Sequence, residues 1–461
     1  MSICRLLFLI PLILHAEEYP KVFHQAPSPL SPDAVTSEWP RFMGPTDNCI
    51  SPETHLLKKF PATGLQPVFE LARGESYSSP IIAGGKLLHF HAIDSSETLD
   101  CHDPETGKRL WTFSYPIKYR DRYGFSAGPR TSPVVQGERI FLIGVTAKLH
   151  CLDLETGKVI WKRDLQKEFS IPQYFFGYGP NPVVYRDKLI INIGGKENKS
   201  DGTCIAALNT SDGTTSWKHQ DKWGASYASP IIANIHGRDV ALVIAAGESK
   251  PTHGGLLTLN PITGSVYSRF PWRADIYESV LASSPLALPN NQVFISDCYE
   301  KGGVLLQFDK ELQPTPVWTA RLFGMHMMIP QLVDGHLLGF AGRNVPDTQL
   351  KSADLKDGKI LWENDMRWTE GTRVTGLFRG SFLKTSKRLF SLGEDGSFAE
   401  LKLTANEPKI IQKARLFSAT ESWTPPVISR GLLYIVQNSK GFDGSPTRLI
   451  CYDFRDNSSS Q

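Results

Sequence analysis

The chain has 461 residues, 41% of them hydrophobic and 21% charged, which is ordinary globular composition with enough length for a sizeable core. A formal net charge of +3 argues against nucleic acid as a partner and against strong attraction to a membrane surface. Beyond the N-terminus no apolar stretch approaches the length of a membrane span.

Residues 1–16 read as a secretory signal. Arg5 supplies the positive end, Leu6 to Leu14 the apolar core, and Leu14-His15-Ala16 a cleavage site before Glu17. Cys4 lies too early to serve as a lipid-anchor site, so a periplasmic or secreted protein without such an anchor is expected. Losing the leader removes one charged residue, Arg5, and takes the net charge from +3 to +2. Cys49, Cys101, Cys151, Cys204, Cys298 and Cys451 remain. Export permits disulfides, but no two of these residues are adjacent and no Cys-x-x-Cys-His is present for covalent haem.

Residues 17–38 are rich in Pro, Ser and Ala and read as a flexible lead-in. Trp39-Pro40-Arg41-Phe42-Met43-Gly44-Pro45 follows, and its aromatic residues predict a segment lying against the folded domain. The expected division is a lead-in and N-terminal extension over 17–64, a repeat domain over 65–455 and a tail over 456–461.

The repeat domain is built on one motif. Cys151-Leu152-Asp153-Leu154-Glu155-Thr156-Gly157-Lys158-Val159-Ile160-Trp161 recurs with Asp103, Gly107 and Trp111, with Asn209, Gly213 and Trp217, and with Asp354, Gly358 and Trp362. An Asp or Asn side chain can bond the backbone two residues on and start a turn. Gly supplies the positive φ that closes it. The Trp ends an apolar run and is large enough to fill a gap between stacked sheets. Three further copies are degenerate: one keeps Asn260 and Gly264 without a Trp, one keeps Asp309 and Trp318 with the spacing stretched by one, and one near 401–411 keeps only its strand pattern.

A second marker opens each unit: Ser79-Pro80, Ser132-Pro133, Asn181-Pro182, Ser229-Pro230, Ser284-Pro285, Ile329-Pro330, a Pro-less copy near Arg379-Gly380-Ser381, and Pro425-Pro426. Eight openings, each heading four short strands, predict an all-β fold: an eight-bladed β-propeller of four-stranded antiparallel blades. The last unit ends before its outer strand, and Pro67-Val68-Phe69-Glu70-Leu71 stands unclaimed ahead of the first opening. This N-terminal strand is expected to complete the last blade and remove a free sheet edge.

These repeats resemble the pyrroloquinoline-quinone (PQQ)-type propellers, whose blades carry a tryptophan-docking Ala-x-Asp-x-x-x-Gly-x-x-x-Trp. The resemblance spans roughly residues 65–455. The segment from Trp39 to Pro45 is similar to a Trp-Pro-x-x-Arg-Gly-Pro found ahead of such propellers in exported proteins of planctomycete-like bacteria, with Met43 in place of the Arg. The family implies two outcomes. One is a non-catalytic binding or scaffold propeller that needs no cofactor. The alternative is a PQQ- and calcium-dependent alcohol or sugar dehydrogenase. The dehydrogenases carry a vicinal Cys-Cys disulfide over the quinone, which this chain lacks.

The loops of one face are elaborated. The link over 114–130 carries Lys118, Tyr119, Arg120, Asp121, Arg122, Tyr123 and Phe125, and the link over 166–180 carries Tyr174, Phe175, Phe176 and Tyr178. This aromatic and cationic face suits a flat, anionic or sugar-like ligand, although loop aromatics also simply pack on one another. Residues just before each opening are expected to point into the central funnel: Tyr77, Arg130, Tyr178, Tyr227, His326 and Trp423. His326 lies among methionines, has no second His at ligand spacing, and makes no metal site. Asp121, Glu248, Asp297 and Glu421 are candidate loop acids, but no spacing pairs them for acid–base work. The chain is therefore read as a monomeric binding propeller whose loop face takes a protein partner or a small-molecule or carbohydrate ligand, without a metal.

Overall fold

The computed structural model describes residues 21–196, 199–248, 250, 253–404 and 407–456; the leader expected over 1–16 lies outside them. Eight antiparallel sheets of four core strands stand around a central channel. The single helix among the described residues is one short turn, Leu165–Phe169, between blades 2 and 3.

The blades are joined by the recurring motif. Asp103, Asp153, Asn260 and Asp354 cap their turns: the Asp153 carboxylate accepts from the Thr156 amide at 2.8 Å and the Asn260 side chain from the Ile262 amide at 2.9 Å. The motif glycines have positive φ, 67° at Gly107, 68° at Gly157 and 73° at Gly213. They also leave room. A Cβ on Gly157 would stand 2.5 Å from Trp111 of the preceding blade, one on Gly213 2.6 Å from Trp161, and one on Gly358 2.5 Å from Trp318. Trp111, Trp161, Trp217 and Trp318 each donate the indole N–H to the same turn, Trp111 to the Leu154 carbonyl at 3.2 Å and Trp161 to Thr210 at 3.1 Å. A Trp carries on the order of 150–250 Å² of burial, so at about 25 cal/mol/Å² a joint is worth at most roughly 4–6 kcal/mol.

The small residue of the motif pairs directly across from its own Trp: Cys101 with Trp111, Cys151 with Trp161, Ala207 with Trp217 and Ser352 with Trp362. A β-bulge follows each time. A larger side chain there would push the indole out of its slot, which is why these thiols are fully buried. Burial drives the Cys101 thiol up to about 12 and the Cys151 thiol up to about 11.

The degenerate copies compensate one another. Blade 4 has Ser268 where its Trp would stand, and the facing turn of blade 5 holds a fully buried Leu312 at φ 62° in place of the Gly. The Leu312 side chain supplies apolar volume where no indole arrives.

The openings do more than mark turns. The Ser79 amide donates to the Ser132 hydroxyl at 2.9 Å, Ser132 to the Asn181 side chain at 2.5 Å, Asn181 to Ser229 at 3.2 Å, and Ser229 to Ser284 at 3.0 Å. These buried contacts run from blade to blade around the channel.

The ring closes non-covalently. Pro67–Ala72 pairs antiparallel with Arg448–Asp453 and forms the outer strand of blade 8. Phe69 stands opposite Cys451, as Trp111 stands opposite Cys101, and lies against Gly107 of blade 1, where a Cβ would come within 2.7 Å of its ring. Part of the lead-in is ordered, unlike the flexible segment expected: Lys21–Phe23 adds a fifth strand to the same sheet by pairing with Phe69–Leu71. The Ser28 amide and hydroxyl both donate to Asp453.

The segment after the lead-in plugs the channel. Trp39, fully buried, bridges to Ile82 of blade 1, and the Pro40 carbonyl accepts from Val135 of blade 2 at 2.9 Å. Met43 and Cys49 pack among inner-strand residues of blades 4 and 5. The Asn48 carbonyl accepts from Gln331 of blade 6, and Ile50–Ser51 pairs in parallel with the inner strand of blade 7. Glu53 accepts from the amides of Arg430 and Gly431 on blade 8. Apolar contact with opposite sides of the ring holds the strap across the end of the channel remote from the long loops.

Blade 1 hides a basic cluster. His89, His91, Asp100 and His102 share one face of its middle strands, with the His89 and His91 rings stacked at 4.4 Å and His91 Nε2 3.0 Å from Asp100. Burial holds all three imidazoles below their ordinary value; the neighbouring His91 and Arg73 add to it at His89, whereas Asp100 partly offsets it at His91 and His102.

Two outcomes are expected. Removing residues up to 72 should give insoluble protein or a strongly lowered melting temperature; a soluble truncation with unchanged melting contradicts closure by the N-terminal strand. The unfolded chain protonates these histidines near pH 6.5 and the folded one only lower. Stability from this cluster is thus complete above pH 6.5 and lost as pH falls below it, so Tm should drop between pH 6.5 and 4, and less in a His89→Leu variant. A flat Tm over that range contradicts the assignment.

Candidate functional site

The inner strands all start at the face with the long loops, and there the channel opens into a bowl of about 440 Å³. The strap closes the far end, and its Phe42 forms part of the floor. Tyr77, Arg130, Tyr227, His326 and Trp423 line the bowl. Tyr178 does not. It is buried between blades 2 and 3 and donates its hydroxyl to the Asn192 carbonyl at 2.9 Å, so the expectation that it faces the funnel is corrected. Its neighbour Gly179 reaches the wall instead. Gly179 stands two residues before its opening, as Tyr77, Arg130, Tyr227 and Trp423 do, whereas Tyr178 stands three before and falls outside the wall.

Aromatic residues form one side. Tyr123 and Phe125 come from the link before blade 2, Phe175 and Phe176 from the link before blade 3, and Tyr227 from the link before blade 4. Their rings meet edge-on or tilted: Tyr123 on Phe175 at 60°, Phe125 on Phe176 at 79° and Phe176 on Tyr227 at 58°. Tyr123 and Phe125 are 56% and 42% exposed, an unusual cost for large rings unless they frame an opening. Glu248 holds this wall. Its carboxylate accepts from the Phe175 amide at 2.6 and 2.8 Å and from the Tyr227 hydroxyl at 2.8 Å, and Tyr227 in turn accepts from the Phe176 amide. Burial pushes the Tyr227 phenol far above its usual range, so it stays a neutral donor.

The cations are largely neutralised, which the sequence did not reveal. Arg130 pairs with the buried Asp121 at 2.8 Å and lies over the Tyr77 and Tyr119 rings. Asp121 also accepts from the amides of Tyr123 and Phe125, so one carboxylate orders the whole link. Arg379 pairs with Glu394 at 2.8 Å, the same carboxylate accepts the Trp423 indole N–H at 2.8 Å, and Tyr77 stacks on Trp423 at 5.3 Å.

The opposite side, from blades 5 and 6, is polar. Arg343 lies 4.7 Å over the Tyr299 ring and has no ion pair among the described residues; Glu278 and Asn344 also line the bowl. Arg343 opens one of the long polar loops that the sequence places on this face, over 343–348, whereas Glu278 did not stand out because its link carries no motif. His326 lies 3.5 Å from the Tyr299 hydroxyl, and burial together with Arg379 and Arg343 lowers its imidazole to about 4, so it is neutral at physiological pH. Of the candidate loop acids, Asp297 accepts from the Ala274 and Tyr299 amides and the Ser279 hydroxyl, a structural use, while burial raises the Glu421 carboxyl.

A ring of four-stranded blades locked by Trp-on-Gly contacts, with its funnel on the long-loop face, is a PQQ-like β-propeller. Residues 95–364 match the family model described as outer membrane protein assembly factor BamB, and the chain belongs to that family. No protein of curated function matches it by sequence. Among solved structures it is similar to BamB from Moraxella catarrhalis, at 16% identity and TM-score 0.54, covering 84% of this chain and 97% of that one. It is also similar to the quinohemoprotein alcohol dehydrogenase from Comamonas testosteroni, at 14% identity and TM-score 0.57, covering 90% and 80%. A computationally designed protein, Ika8, shares the fold at 12% identity and TM-score 0.50, covering 83% and 98%. These likenesses establish the fold and leave the function to the site.

The residues of the bowl do not fit a quinone with its calcium. Calcium takes roughly six to eight oxygen ligands, yet among the described residues no three His, Cys, Asp or Glu side chains converge. Among the described aromatic residues of the bowl, Tyr77 and Trp423 are near-parallel at 21°, and they are stacked on each other.

Glu248→Ala should untie Phe175 and Tyr227 together and leave a buried amide unsatisfied, costing on the order of 1–3 kcal/mol. Denaturant unfolding measures this; a change below a few tenths would show that the wall is held by ring packing alone.

Proposed function

We propose that this chain is an exported, monomeric binding propeller without catalysis of its own, which holds a ligand or a protein partner on its loop face. The observation that supports this reading most is the use made of the charged groups around the bowl. Asp121 and Glu394 are spent on Arg130 and Arg379, and Glu248 on backbone and phenol donors. General acid–base work needs a group free to reach a substrate proton, with its pKa near the working pH. His326 is held too low for that role, and among the described residues Glu278 is the one carboxylate that lines the bowl, with none to share acid and base duties.

Membership of a family described as an assembly factor agrees with a role in which binding is itself the function. Export rests on the leader-like residues 1–16. No helix among the described residues is long and apolar enough to cross a membrane.

The test is a calorimetric titration of the full chain with pyrroloquinoline quinone, with and without calcium, followed by assays of alcohols and sugars with a dye acceptor. No calcium-dependent binding and no dye reduction are expected. Tight calcium-dependent binding with turnover overturns the reading in favour of a quinoprotein dehydrogenase.

A further inference from the structure

We infer that the bowl is a binding site for a short neutral saccharide; this deepens the reading of the chain as a binding propeller and rests on it. The first argument is shape. The wall rings are inclined to one another by 50° to 79° where Tyr123, Phe125, Phe176 and Tyr227 meet. They make a rounded surface without a slit. A puckered pyranose, with C–H groups on its faces and hydroxyls at its edge, packs on inclined rings where a planar aromatic guest does not. The volume of about 440 Å³ falls within the roughly 300–1,000 Å³ of small-molecule sites.

The second argument is charge. Three arginines line the bowl, Arg130, Arg343 and Arg379. Asp121 and Glu394 neutralise two of them, and Glu278 also lines the bowl, so the charges of the lining and its ion pairs sum to zero. A site without surplus charge gains little from an anion and must still desolvate it. The guest that fits is uncharged.

The third argument is the division of the lining. Apolar rings come from the links before blades 2, 3 and 4. Arg343, Asn344, Glu278, Tyr299 and His326 come from blades 5 and 6 and the links before them. A planar guanidinium, a carboxylate, an amide and a neutral imidazole together offer donors and acceptors to vicinal hydroxyls. A sugar ring lying across the bowl therefore meets aromatic carbon on one face and hydrogen-bonding groups at its far edge. Phe42 of the strap closes the floor, so a chain enters by its end.

The experiment titrates the full chain with cellobiose, maltose, lactose and chitobiose, and in parallel with glucuronate and benzoate, following heat and tryptophan fluorescence. Trp423 reports on the bowl directly. At least one neutral disaccharide should bind and change the emission. Phe176→Ala should weaken it by roughly tenfold, and Arg343→Ala should weaken it severalfold with Tm unchanged, because that side chain is exposed and carries no ion pair among the described residues. The inference is overturned if no neutral disaccharide binds at millimolar concentration, if benzoate or glucuronate binds in its place, or if binding is indifferent to both substitutions. Failure here is distinguishable from failure of the binding reading, which is decided by quinone-dependent dye reduction and not by saccharide affinity.

Discussion

The contact on which the molecule depends is an indole laid on the glycine of the next blade's turn. It requires three things at once: a residue without Cβ at positive φ, a large ring at the end of the preceding outer strand, and a small residue across from that ring. The sheet twist sets neighbouring blades apart at their outer edges, and the indole fills that wedge while donating to the turn that receives it. Because the requirement couples two blades, its loss is also coupled. Blade 4 lacks the ring, and the turn of blade 5 lacks the glycine and fills the wedge with Leu312.

Closure follows the same rule with different parts. Phe69 plays the indole's role for the joint between blades 8 and 1, so the first and last stretches of chain must meet before the ring is stable. The strap then uses the cylinder that closure creates. Trp39, Met43 and Ile50 bury apolar surface against inner strands that would otherwise face an open channel. What would have been a water-filled pore becomes a bowl with one mouth.

At that mouth the dominant physics is compensation. Loops that carry many aromatics and cations must be held in place without a core beneath them. Single carboxylates do this: Asp121 orders one link, Glu248 a second, and Glu394 joins Arg379 to Trp423. Each arginine–carboxylate pair is partly desolvated and hydrogen-bonded further, the condition under which a buried pair is retained without heavy penalty. The face is consequently aromatic and close to neutral, although its sequence is rich in Arg and Lys.

The repeat was legible in the sequence because it is local: Asp153, Gly157 and Trp161 lie within one turn and two strands, so blade number, blade order and the role of Pro67 to Leu71 could all be read along the chain. The funnel was partly legible for a related reason, since the residue before an inner strand sits at the mouth, as Tyr77, Arg130, Tyr227, His326 and Trp423 do. Tyr178 lies one residue ahead of that place, which Gly179 holds in its link, and is buried between blades instead. Ion pairing, the run of Ser and Asn hydrogen bonds from blade 1 to blade 5, the strap's path across the channel and the recruitment of Arg343 and Glu278 were decided only in three dimensions. Each joins residues from different blades or distant loops, and their distances are set by closure of the ring, not by any stretch of sequence.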